Sequence, residues 1–295
     1  MIGDQIQFTE ISCKSALHNL KSKMPFDWDL NVFRGCQHHC KYCFALYSHD
    51  YLDDAEYYKH IYIKTNIAEM LDKKLSSKRW QKQVINLGGV TDSYQPIEKK
   101  YALMPDVWRV LIKHKNPVVI STKSDLILRD FELIAELSNC TAVNIAATII
   151  TTDEMLKSKL EPNTASISQR FKMLKEFQKT KVSRGVHIMP LIPYITDSFS
   201  NLNSIFFMSK EIQIDYILTG LLNLRGKSRN VFLDFLQNEM PFYYQDIFNL
   251  FNNKDLKTSY LQSISLMLSD LYKYHDISDA FMAPLTKRMK ELDKG

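Results

Sequence analysis

The feature that most constrains this chain is an alternation of two hydrophobic periodicities. Short β-rich runs recur at 28–33, 84–90, 117–122, 141–149, 185–192 and 216–222, with helical patterns between them. Ile67, Met70 and Leu71 share one helical face, behind an Asn66/Glu69 pair spaced as an N-cap and its third residue. Val107, Val110 and Leu111 repeat that spacing, as do Leu133, Ile134 and Leu137, and then Ile167, Phe171 and Leu174. Strands joined by helical crossovers pair in parallel, with right-handed connections. A full eight-unit barrel takes about 250 residues, and here the alternation ends near Leu224. The spacing therefore predicts an α/β fold, a partial TIM-type (β/α)6 barrel with an N-terminal extension and a C-terminal helical cap. The boundaries expected are 1–25 for the extension, 26–225 for the barrel and 226–295 for the cap, where Phe232, Phe235 and Leu236, then Leu261, Ile264 and Leu268, recur at helical spacing.

Composition narrows the class. Hydrophobic residues make up 45% and charged residues 24% of the 295, which excludes a disordered or fibrous chain. The net charge of +5 is mild and diffuse, with no helix-turn-helix or finger pattern, so a DNA-binding protein without chemistry finds little support. No run of about 18 apolar residues occurs, and the first residues lack a signal peptide's basic and apolar regions, so a cytoplasmic protein with no membrane partner is expected.

Five cysteines is an odd count, and three of them, Cys36, Cys40 and Cys43, fall together with the spacing C-x3-C-x2-C directly after the first β-run. In a parallel barrel that loop lies at the carboxyl ends of the strands, where active sites form. Three thiolates hold three irons of a [4Fe–4S] cluster and leave the fourth iron open to a small molecule, whereas an electron-transfer cluster takes four. A second reading stays open: the same cysteines with His38, His39 or His49 make a Cys3His zinc site, and the chain is then a metal-stabilised binding module without catalysis.

The segment Asn31-Val32-Phe33-Arg34-Gly35 followed by C-x3-C-x-Tyr-C resembles the radical S-adenosylmethionine (SAM) enzymes, and more narrowly their spore photoproduct lyase-like branch. Further matches are Lys14-Ser15-Ala16-Leu17, Met24-Pro25-Phe26-Asp27-Trp28, Thr91-Asp92-Ser93-Tyr94-Gln95-Pro96-Ile97-Glu98, Ser121-Thr122-Lys123-Ser124, Leu160-Glu161-Pro162 and Pro190-Leu191-Ile192-Pro193. The resemblance implies that Cys36, Cys40 and Cys43 ligate the cluster and that SAM chelates the open iron. It places Tyr42 and Met189 against adenine, the Gly88-Gly89 pair at the SAM amino group, Lys123 at its carboxylate and Thr148 at the ribose. The residue after the glycine pair, usually acidic, is Val90. A 5′-deoxyadenosyl radical would then abstract hydrogen from a substrate, with nucleic acid one candidate class and a flavodoxin- or ferredoxin-type donor supplying electrons. Asp92, Tyr94 and Glu161 are the expected catalytic, substrate-facing residues, with Gln95 beside them, and Arg34 is placed to bind an anion or tune the cluster. Two departures from the lyase stand out: 84–89 holds no cysteine, and the residue after the last cluster cysteine is Phe44 rather than a tyrosine. Cys140 is expected at the amino end of the barrel in a structural role, and Cys13 has no evident ligand partner.

Overall fold

Six parallel strands carry the architecture, one from each β-rich run. The computed structural model describes residues 6–20, 25–52, 56–292 and 294. Positions 1–5 and 21–24 of the expected extension, including the Met24 that begins one family-like segment, lie outside the described residues. In chain order the strands are β1 (Gln7–Ile11), β2 (Leu17–Asn19), β3 (Trp28–Leu30), β4 (Phe33–Arg34), β5 (His60–Lys64), β6 (Ile85–Leu87), β7 (Val118–Thr122), β8 (Val143–Thr148), β9 (Ser183–Leu191) and β10 (Tyr216–Leu221). The α-helices are α1 (Ile67–Leu75), α2 (Glu98–Tyr101), α3 (Leu103–His114), α4 (Phe131–Cys140), α5 (Glu154–Leu160), α6 (Ile167–Glu176), α7 (Phe199–Glu211), α8 (Gly226–Glu239), α9 (Pro241–Asn252), α10 (Lys254–His275) and α11 (Ala283–Leu292).

The larger sheet has the order β10-β9-β8-β7-β6-β3-β2, parallel from β3 to β10, with β2 antiparallel at the far edge. Helical crossovers cover its outer side, as in a partial TIM barrel. β8 is buried at all six positions, as a central strand covered on both faces must be. Cys140 ends α4, just before β8 and at the amino end of the sheet.

Two features depart from the sequence expectation. The first β-run stops at Leu30, because Asn31 turns to cross-linking: its side chain donates to Asp29 and accepts from the Val90 N–H at 3.0 Å, while Lys64 donates to its carbonyl at 2.7 Å. Phe33–Arg34 instead pairs antiparallel with β5, and β5 pairs in parallel with β1. The N-terminal segment thus forms a second, three-stranded sheet rather than an irregular extension. Its buried Ile61 and Ile63 join Phe33, Ile67 and Leu71 in the main core. Asn66 does precede α1, but its side chain does not cap the helix. It pairs with the backbone of Cys13 in both directions, at 2.8 and 3.1 Å.

The C-terminal helices do more than cap. Phe232, Phe235 and Leu236 of α8 and Ile247 of α9 pack in one cluster with Cys40 and Tyr42, covering the carboxyl ends of the strands. α10 runs beside α7. Leu285 of α11 packs with Phe26, Val119 and Ala142 at the opposite end.

Candidate active site

The loop from Gly35 to Cys43 is shaped by close backbone packing. Gly35 has φ +80°, and a Cβ there would lie 2.6 Å from the His60 carbonyl oxygen, so only glycine fits. Thr91 donates to the Gly35 carbonyl at 2.6 Å. Gln95 accepts from the Gln37 N–H at 2.8 Å, and Gln37 in turn accepts from the Ile97 N–H at 2.6 Å. Tyr58 donates to the Cys40 carbonyl at 2.6 Å, and the Lys41 N–H to the Leu160 carbonyl at 2.9 Å. Cys36 and Cys40 are buried and Cys43 is half-buried. Burial pushes the Cys40 thiol well up, against the pull of Lys123, and raises Cys43 to about 11.

Asp92, from the turn after β6, ties this loop to β7. Its carboxylate lies 3.3 Å from His38 Nδ1 and accepts from Thr122 Oγ1 at 2.8 Å, the Lys123 N–H at 2.9 Å and the Tyr94 N–H at 2.9 Å. Burial opposes its charge, yet His38 and these donors hold its carboxyl well below the usual range. Burial likewise opposes the charge on His38, but Asp92 and Cys36 outweigh it and hold that imidazole at about 9. Tyr94 is fully buried, donating to Asp130 and accepting from Trp108 of α3, which places its hydroxyl in the layer between sheet and helices.

A second buried network braces the loop from the other side. The Tyr42 hydroxyl donates to Glu161, whose other oxygen pairs with Arg170 at 2.6 Å; Glu161 and Arg170 are at most 1% exposed. Arg170 also donates to the Thr148 carbonyl at 2.8 Å and the Ala165 carbonyl at 3.0 Å. Asp92 and Glu161 therefore spend their oxygens on the protein itself. Expected to face substrate, Asp92, Tyr94 and Glu161 instead hold the scaffold, because a carboxylate or phenol buried this deeply must be satisfied by neighbours.

Lys123, at the end of β7, is the exception. Among the described residues no hydrogen bond or ion pair engages its ammonium, which lies 5.9 Å from the Tyr42 ring centroid. Burial disfavours its charge, but Cys40, Glu161 and Asp92 raise its pKa above the ordinary lysine value, so it is a half-buried, charged and unpartnered donor. Gly88 has φ +85°, with Thr91 and Ser93 where a Cβ would stand, and its N–H donates to Leu30 at 2.8 Å. The Gly89 N–H donates to Asp29 at 3.1 Å, and a Cβ on Gly89 would fall 2.4 Å from that carboxylate. Thr148 Oγ1 lies 3.3 Å from Ser121 Oγ, and Met189 is 42% exposed.

The three histidines of the zinc reading are each engaged. His38 pairs with Asp92, His39 stacks on Tyr58 at 4.1 Å, and His49 Nε2 lies 3.0 Å from the His60 carbonyl. The three clustered thiols, with burial pushing Cys40 and Cys43 up, suit a cationic iron–sulfur group that offsets the thiolate charge. A half-buried, unpartnered ammonium next to it suits the carboxylate of an amino-acid-like cofactor. Sequence reasoning missed Asp29 and Arg170, and took His38 as a zinc-ligand candidate rather than as the partner of Asp92. Arg170 left a signal, as a charge beside Phe171 on the core face of α6; the others acquire their partners only through the fold.

The model of the radical SAM superfamily matches residues 30–201. The chain belongs to the radical SAM superfamily. It is similar to an uncharacterized protein of Mycobacterium tuberculosis (strain ATCC 25618 / H37Rv), at 32% identity over 243 residues, covering 81% of this chain and 72% of the relative. It is also similar to an uncharacterized protein of Methanocaldococcus jannaschii, at 26% identity, covering 92% and 96%. Among solved structures, a spore photoproduct lyase variant with bound AdoMet and dinucleoside spore photoproduct aligns at TM-score 0.60 and 11% identity, covering 78% of this chain and 66% of that one. That likeness is one of fold. Superfamily membership makes the radical SAM protein an enzyme, with a [4Fe–4S] cluster and SAM as the implied cofactors and a reductant as a required partner. No described helix is long and apolar enough to cross a membrane.

Proposed function

We propose that this enzyme binds a [4Fe–4S] cluster through Cys36, Cys40 and Cys43 and uses SAM to abstract hydrogen from a substrate. The observation that carries this reading is the half-buried, unpartnered Lys123 ammonium beside the three-cysteine loop. When bound, cluster and SAM supply a 5′-deoxyadenosyl radical by one-electron cleavage of the sulfonium. The chain's own residues bind and orient. Lys123 receives the SAM carboxylate, Tyr42 and Met189 flank adenine, and Thr148 stands near the ribose. Gly88 and Gly89 let Thr91, Ser93 and Asp29 approach the backbone closely, and Asp29 of β3 supplies the carboxylate for the amino group that Val90 lacks. Asp92 and Glu161 are positioning residues that hold the loop through His38 and Tyr42, and Tyr94 packs behind them. A flavodoxin- or ferredoxin-type protein is the proposed electron donor.

A nucleic-acid substrate finds its support in the fold likeness to the lyase. Repair of spore photoproduct needs a hydrogen atom returned to the substrate, and neither 84–89 nor Phe44 offers a thiol or phenol. Reduced protein given SAM and dinucleoside spore photoproduct is expected to release 5′-deoxyadenosine without forming thymine. Anaerobic reconstitution with iron and sulfide tests the cluster. A reducible [4Fe–4S] signal lost in Cys36→Ala supports the reading, and stoichiometric zinc with no iron bound overturns it. Lys123→Met is expected to keep the cluster and weaken SAM binding at least about tenfold.

A further inference from the structure

The barrel is left open at β10. Among the described residues, this last strand is paired along its outer edge only at its start, where Tyr216 bridges Ser278 and the Ile217 N–H donates to the Ser278 carbonyl at 2.9 Å. Tyr272 donates to the Ile217 carbonyl from the same side, at 3.0 Å. In a parallel ladder one residue turns both its N–H and its C=O to one side, and its neighbour turns both to the other. Thr219, two residues on, therefore directs both groups outward like Ile217. No described residue outside the β9–β10 pair bonds to them.

These groups face a cavity of about 550 Å³ between β10 and α10, walled by Leu191, Leu221, Leu261, Ile264 and Leu268, with Ser265 at its rim. Its acidic and basic side chains among the described residues are Lys273 and Asp279, of opposite sign, so the wall offers no net charge to a polyanion. Thr219 and Leu221 point toward α10. Gly220 points the other way, and a Cβ on it would sit 3.2 Å from Met189. The cavity also meets the carboxyl ends of β9 and β10, on the side where the cysteine loop lies.

We propose that the free edge of β10 and this cavity bind an extended polypeptide segment of a protein substrate, which adds to the sheet as its next strand. Backbone pairing starts at Thr219. One side chain of the added strand enters the apolar cavity against α10, and the next faces the barrel interior beside Met189. This places a substrate residue on the side where the proposed radical forms, so the inference rests on that reading for its chemistry but not for its binding.

The test uses the full chain and a display library of random dodecapeptides, with random single-stranded DNA as the competing probe. Peptides are expected to enrich. Thr219→Pro, which removes the outward N–H of an edge position where proline is tolerated, is expected to weaken the enriched peptides at least about tenfold. Ser265→Trp, on the exposed face of α10, fills the cavity without touching the core and is expected to do the same. Circular dichroism and uncoupled 5′-deoxyadenosine release should match the parent in both variants. No enrichment, enriched peptides indifferent to both substitutions, or DNA binding that Ser265→Trp abolishes would each overturn the proposal. Peptide binding in a protein that fails to cleave SAM would overturn only the radical reading.

Discussion

The two flanks of the barrel are built to opposite specifications. On the flank of β3, β6 and β7, the loop holding Cys36, Cys40 and Cys43 is tied by buried polar links from Asp92, Gln95, Tyr58 and the Tyr42–Glu161–Arg170 chain. On the flank of β9 and β10, the sheet ends in an edge that the described residues pair only at its start, beside a cavity, with Met189 half-exposed. Rigid pre-organisation lies where a cofactor must be held in a fixed pose, and vacant backbone lies where a variable partner can enter. The same barrel can then serve different substrates by changing one flank.

The comparison breaks first at the cysteines. Cys40→Ala should abolish both the cluster spectrum and 5′-deoxyadenosine release, because the loop holds no fourth cysteine to replace it. Next comes the brace. Glu161→Ala leaves Arg170 charged and buried without its partner, and should cost about 3–5 kcal/mol in chemical denaturation. Ser265→Trp on the open flank should stay within about 0.5 kcal/mol. Equal losses at the two positions would erase the contrast between the flanks.

How far the sequence was legible follows the same division. The six parallel strands were readable because runs such as 141–149 are mostly apolar or β-branched and bounded by helical spacing. The cysteine loop was readable because ligand spacing is local. The second sheet was not, since β1 and β5 are short, half-polar and far apart in the chain. Nor were the roles of Asp92, Tyr94 and Glu161: their acidity or hydroxyl showed in the sequence, but whether those atoms face substrate or a buried partner is settled by packing between distant segments. Asn66 shows the same limit, since its cap-like position is overridden by the Cys13 backbone.

Smaller effects sharpen the account. Gly88→Val, at φ +85° with Thr91 and Ser93 close by, is expected to cost about 1–3 kcal/mol of stability and to weaken SAM binding while keeping the iron content. The smallest effect is at Lys64, whose ammonium burial, with Arg34 nearby, lowers it to about 8. Because the unfolded chain keeps that lysine protonated to higher pH, its penalty is full below pH 8 and relieved above it. Lys64→Met should therefore remove the rise in stability that the parent shows as pH passes 8, read by thermal denaturation at several pH values.

The most direct test of the central claim is 5′-deoxyadenosine release by anaerobically reconstituted, dithionite-reduced protein given SAM, with Cys40→Ala as the control. The account predicts release by the parent and none by the variant. Equal release from both, or none from a parent shown to carry its cluster, would contradict it.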